Sequence, residues 1–74
     1  MRRIITDTRI CHGKAHLEGT RIPAHIILDL LAAGETYENI IQAYPQLTEG
    51  DIRSCLEYAA KLATEEVAYE SKVA

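Results

Sequence analysis

Tryptophan and phenylalanine are missing from this sequence, and four tyrosines are its only aromatic residues. Any core it builds is therefore aliphatic, drawn from Ile, Leu and Ala. Two cysteines, Cys11 and Cys55, are too few for the disulfide framework of a small secreted domain, and no bridge between them is expected. No apolar run approaches the ~20 residues of a membrane span. The N-terminal residues lack the apolar core of a signal peptide. These absences predict a chain of the reducing cytoplasm with no membrane association. Paired carboxylates, a phosphate-binding glycine loop and a nucleophile with an oriented base are also missing, so neither an enzyme nor a cofactor is expected.

What is present is a 74-residue chain, 47% apolar, enough for one small domain spanning 1–74. A chain this short buries only ~60% of its unfolded surface and gains from a partner. A homodimer is expected, with the N-terminal segment packed on the second chain.

The hydrophobic period changes once, at Glu18-Gly19-Thr20-Arg21-Ile22-Pro23. Before it apolar residues alternate; after it they recur every three to four residues. Read as a two-residue turn at Glu18-Gly19, the stretch pairs Leu17 with Thr20, His16 with Arg21 and Ala15 with Ile22. One face then carries Ala15, Leu17, Thr20 and Ile22, and the polar face carries Lys14, His16 and Arg21. Further upstream, Ile4-Ile5 predicts a short strand or an arm that pairs with another chain, followed by turn residues Asp7 and Thr8.

Three helices follow. Pro23 suits the first turn of a helix over 23–33, with an apolar stripe of Ile26, Ile27, Leu30 and Leu31, a polar side of His25 and Asp29, and a stop at Gly34. Thr36 caps a second helix of about eight residues that buries Ile40, Ile41 and Tyr44 and ends before Pro45. Thr48 caps the third, with Asp51 at the capping-box position, and the pattern of Ile52, Cys55, Leu56, Ala59 and Leu62 carries it to about residue 68. Cys55 is expected to pack as a small apolar residue, and residues 69–74 to fray. The fold class is mostly α: an N-terminal β-hairpin or arm over 1–22, then a three-helix, helix-turn-helix-like bundle of the homeodomain kind over 23–70.

Charge is divided along the chain. Residues 1–21 hold five basic against two acidic residues, a net +3, whereas residues 22–74 hold three against nine, a net −6. A basic segment on an acidic body suggests a polyanion contact at one end, or simply a solvated surface. Cys11, His12, His16 and His25 are the only metal-like cluster. Adjacent Cys11 and His12 rarely reach one ion together, and Gly13 disfavours the helix that His12 and His16 would need, so no metal site is assigned.

The segments Gly13-Lys14, Glu18 to Pro23, Ala33-Gly34, Tyr44 to Thr48, Asp51-Ile52 and Leu56 to Ala59 resemble family 433 of the bacterial domains of unknown function. The resemblance spans positions 10–60 and rests on the order and spacing of separate segments. His12 in place of Gly, Ala15 of Pro, Glu18 of Lys and Ala24 of Val depart from the family pattern; the first departure puts a second glycine turn in question. Gly19, Thr20, Pro23, Gly34, Pro45 and Thr48 are its structural positions here.

The resemblance implies a three-helix domain encoded beside a PIN-like ribonuclease, acting as the antitoxin of that toxin–antitoxin pair, with dimers among its members and operator DNA as a second expected ligand. The alternative is a stand-alone helix-turn-helix transcriptional regulator. Its recognition helix would expose Glu49, Asp51, Arg53, Ser54, Glu57 and Lys61, three acids against two bases and a poor match to phosphates. Candidate contacts with partner or DNA are Arg2, Arg3, Arg9, Lys14, Arg21, Arg53 and Ser54.

Overall fold

A computed structural model describes residues 2–65. The end of the third helix near residue 68 and the fraying of 69–74 fall outside the described residues. The architecture is mostly α, as expected: a two-stranded antiparallel sheet, β1 (Ile4–Ile5) and β2 (His16–Leu17), followed by α1 (Ala24–Ala32), α2 (Tyr37–Ala43) and α3 (Glu49–Glu65).

The ends of α1 and α2 have local causes. Pro23 stands one position earlier than expected, as the extended residue (φ −66°, ψ 140°) before α1. At the other end, the Glu35 N–H reaches the Leu30 carbonyl and the Gly34 N–H the Leu31 carbonyl, both at 3.0 Å. This double closure is a Schellman motif, and it places Gly34 at φ 90°, where a Cβ would be strained. The Thr36 hydroxyl accepts the Asn39 N–H at 3.1 Å to start α2. Pro45 follows immediately after the Tyr44 cap.

The hairpin differs from expectation in its pairing. The turn at Glu18-Gly19 forms, with the Thr20 N–H donating to the Leu17 carbonyl at 3.0 Å. The return bond does not come from Thr20, because the Leu17 N–H donates to Ile22 at 3.1 Å and His16 bridges to Pro23. The register is thus displaced by two residues from the expected Leu17–Thr20 pairing. A tight two-residue hairpin of the commonest type needs positive φ at both central residues, and only Gly19 (φ 78°) has it. The Thr20 hydroxyl then fills the gap, donating to the Leu17 carbonyl at 2.7 Å and accepting the Ile22 N–H at 3.0 Å.

The strand partner of β2 is β1, with Ile4 opposite Leu17 and Ile5 opposite His16. The Ile4-Ile5 segment therefore pairs with β2 of its own chain. It also makes β2 a middle strand, held on one edge by β1 and on the other by Ile22-Pro23. That position overturns the expected polar face: His16, placed there with Lys14 and Arg21, is fully buried, while Lys14 and Arg21 are exposed.

The core gathers Leu17 and Ile22 from the hairpin, Ala24 and Ile27 from α1, Ile40 from α2, Leu47 from the connection, and Ile52 and Cys55 from α3. Tyr37, Tyr44 and Tyr58 pack at its margin. Burial in α3 is concentrated in its first two turns, at Asp51, Ile52, Ser54 and Cys55; beyond them Leu56 and Leu62 are the exposed large apolar residues among the described residues.

Candidate partner-binding surface

Arg2 and Asp51 are 49 positions apart and meet at the start of α3. The Arg2 guanidinium donates to Asp51 Oδ2 at 2.6 Å and to the Gln46 carbonyl at 3.0 Å, while the Arg2 N–H donates to Asp51 Oδ1 at 3.0 Å. Asp51 also closes the capping box anticipated from sequence. Its Oδ2 accepts the Thr48 N–H at 2.9 Å, and its own N–H donates to the Thr48 hydroxyl at 3.2 Å. Burial alone would push this carboxyl up; the Thr48 and Arg2 N–H donors and the Arg2 charge outweigh it and hold the group below the usual aspartate range. Asp51 is therefore a buried anchor and not an exposed position of a recognition helix.

The other N-terminal arginines also pair with acids of the chain, but at the surface, with their side chains largely exposed. Arg3 forks onto Glu18 at 3.2 and 2.8 Å. Arg9 forks onto Asp7 at 3.2 and 3.1 Å, and its N–H also donates to that carboxylate at 2.8 Å. The arginine contacts lower both acids, Glu18 and Asp7. Ser54 is buried, its hydroxyl donating to the Gly50 carbonyl at 3.0 Å one turn back, so it too is removed from the contact set. Lys14, Arg21 and Arg53 remain exposed and without an ion pair among the described residues. The structure thus splits the predicted set into arginines bound to the chain's own carboxylates and three scattered free cations.

Two grooves lie along α3. The first, about 320 Å³, brings Arg2, Arg3 and Ile4 opposite Ser54, Glu57, Tyr58 and Lys61. The second, about 380 Å³, is more apolar and runs between Ala24 and Leu28 of α1 and Leu62 of α3, with Lys14 and His25 beside it. Tyr58 lines both. Neither Tyr58 nor Ile4 was a candidate from sequence. The signal was there in the spacing of Ser54, Glu57, Tyr58 and Lys61, which puts all four on one helix face.

The Cys11 to His16 stretch has another role than ligation. Cys11, His12 and Gly13 all adopt positive φ (53°, 55° and 78°) in a tight left-handed turn closed by the Gly13 N–H to Ile10 and the Lys14 N–H to Cys11. The turn that glycine would favour at position 12 forms with histidine in place. The Cys11 thiol donates to the Arg21 carbonyl at 3.3 Å, tying this turn to the hairpin loop. Among the described residues no three His, Cys, Asp or Glu side chains converge as a metal site would require. Cys11 and Cys55 are free thiols, and burial beside Asp51 pushes the Cys55 thiol up to about 11, so it stays protonated and serves as core.

Residues 4–59 match the pattern of DUF433, described as a protein of unknown function. The chain belongs to the DUF433 family. No curated protein and no solved structure gives a significant match. The DUF433 match begins at β1 and ends just past Tyr58, so it takes in the sheet, Glu18, Asp51 and the Ile4, Ser54, Glu57 and Tyr58 lining of the first groove. Among the described residues no helix is long and apolar enough to cross a membrane.

Proposed function

We propose that this DUF433 chain is the antitoxin of a type II toxin–antitoxin pair, a cytoplasmic binding module that sequesters a PIN-like ribonuclease. The observation that carries the reading is the commitment of Arg2, Arg3 and Arg9 to Asp51, Glu18 and Asp7 of the same chain. With those charges neutralised, the surface left over is dominated by the acidic helical body, which complements the basic groove of an RNA-cleaving enzyme. Inhibition would follow from occluding that groove. The module works as a homodimer in this reading.

Operator DNA is the second reading. The helix-turn-helix arrangement of α2 and α3 favours it, and exposed Arg53 near the start of α3 is its best contact. Exposed Glu49 beside it and the buried Asp51 and Ser54 leave little cationic surface for phosphates.

Co-expression with the product of the adjacent reading frame tests the antitoxin directly. The expected result is a co-purifying complex and relief of the growth arrest that the neighbour causes alone. If nothing co-purifies and the neighbour leaves growth unaffected, the antitoxin reading fails.

A further inference from the structure

The apolar face of α3 outlasts the body it packs on. Ile52, Cys55, Ala59 and Leu62 follow one another at steps of three and four and share that face. Ile52 and Cys55 are fully buried, Ala59 is half-buried and Leu62 is 37% exposed. From Ala60 to Glu65 every residue is exposed, so the last turns have no cover among the described residues. Beside Leu62, the side chains of Ala24, Leu28 and Tyr58 complete the apolar groove of about 380 Å³. Its rim carries Lys14, exposed and without an ion pair among the described residues. His25 on the same rim faces Asp29 of its own helix at 3.6 Å. Along the exposed part of α3, Glu57 and Glu65 stand one turn to either side of Lys61, and none of the three is ion-paired among the described residues. One lysine cannot neutralise both acids, so two acids less one base leave this part of the helix at −1.

We infer that a second copy of this chain covers the groove, in a two-fold contact that sets Leu62 of each copy in the groove of the other and Glu65 of each against the other's Lys14. A two-fold contact uses the same patch on both copies, so that patch must hold both knob and hole. Leu62 and the groove beside it meet that requirement. Glu65 lies one turn beyond Leu62 on the same side of the helix, so it travels with the entering leucine. Charge selects the occupant. The basic surface of a nuclease would bring like charge to Lys14, whereas the end of α3 brings an unneutralised carboxylate. The inference rests on the proposed reading for the homodimer, to which it gives an interface, and needs no toxin.

The test is sedimentation velocity of the full chain alone over a range of concentrations. The expected result is a monomer–dimer equilibrium with a Kd on the order of 10–100 μM, as suits a contact of this size. Leu62→Asp, an exposed change that leaves the fold alone, should weaken association roughly thirtyfold or more. Lys14→Glu and Glu65→Lys should each weaken it about tenfold. Mixing those two variants in equal amounts should restore association, because each contact of the mixed dimer then joins a glutamate to a lysine. No role of either residue within its own chain produces that recovery. Unchanged far-UV circular dichroism of each variant separates lost association from lost folding. A chain that stays monomeric throughout, association that Leu62→Asp leaves intact, or a mixture no tighter than either variant alone overturns the inference. A toxin that co-purifies with a monomeric chain overturns it too and leaves the antitoxin reading standing; a dimer with this mixing behaviour that captures no toxin supports it and counts against that reading.

Discussion

The two ends of α3 are built for different work. Its first two turns, from Glu49 to Cys55, bury Asp51, Ile52, Ser54 and Cys55 and receive Arg2 from the far end of the sequence. The remainder, from Leu56 to Glu65, leaves Leu56 and Leu62 more than a third exposed and borders both grooves. One continuous helix is thus scaffold at its start and surface beyond. The periodic apolar pattern runs through both halves, so periodicity alone does not reveal where the body ends. What separates them is a polar group: Asp51 turns inward because Arg2 and Thr48 satisfy it, whereas Glu57 and Lys61 on the later turns have no ion-pair partner among the described residues.

The sharpest way to break this contrast is to truncate equivalent apolar residues on its two sides. Ile52→Ala opens a cavity in the core and should cost about 2–5 kcal/mol by urea unfolding. Leu62→Ala, on the exposed half, should stay within about 1 kcal/mol. Equal losses would mean that the second half is as well packed as the first.

Asp51→Ala comes next. It removes the capping box and strands the Arg2 guanidinium, for a loss of about 2–3 kcal/mol. The same carboxylate sets an acid limit. Its folded pKa lies below the unfolded value of ~3.9, so the folded state holds fewer protons between the two. Its contribution is full above the unfolded value, declines as pH falls through the window, and is gone below the folded pKa. Urea midpoints followed from pH 7 to 3 should fall steeply for the natural chain and less for Asp51→Asn. The exposed Arg3–Glu18 and Arg9–Asp7 pairs add only a shallow slope.

His12→Gly probes the left-handed turn. Relief of a side chain held at φ 55° should raise stability by about 1 kcal/mol, read as an increase in the urea midpoint. Thiol accessibility follows: with pKa about 11 and full burial, Cys55 should react with iodoacetamide far more slowly than partly exposed Cys11. The smallest effect belongs to Arg21→Ala. Its side chain makes no hydrogen bond among the described residues, so the change should stay within about 0.5 kcal/mol. A larger loss would make Arg21 an internal brace and remove it from the candidate contacts.

The helices were legible because their signals are local. Thr36 and Thr48 cap where they stand, Gly34 and Pro45 stop what precedes them, and Asp51 sits three residues after its cap. Tertiary pairing was not. No local feature says that β2 takes β1 as its partner, and without that strand His16 reads as a polar-face residue. Charge counting along the chain also misled. Arg2, Arg3 and Arg9 look like a basic arm, yet each meets a carboxylate, and for Arg2 that carboxylate lies 49 positions away. The first groove has no local signature for the same reason: its walls, β1 and α3, are adjacent only in space.

In the proposed function the N-terminal arginines serve the chain itself, and the module suits a protein partner and not a polyanion. The most direct measurement is the binding of the purified chain to its own promoter DNA as salt is varied. Weak retention that changes little with salt is expected, because few phosphates are neutralised. Tight retention that falls steeply, with a log–log slope of roughly −4 or beyond, would mean that several cations meet phosphates and that Arg2, Arg3 and Arg9 leave their carboxylates to do so.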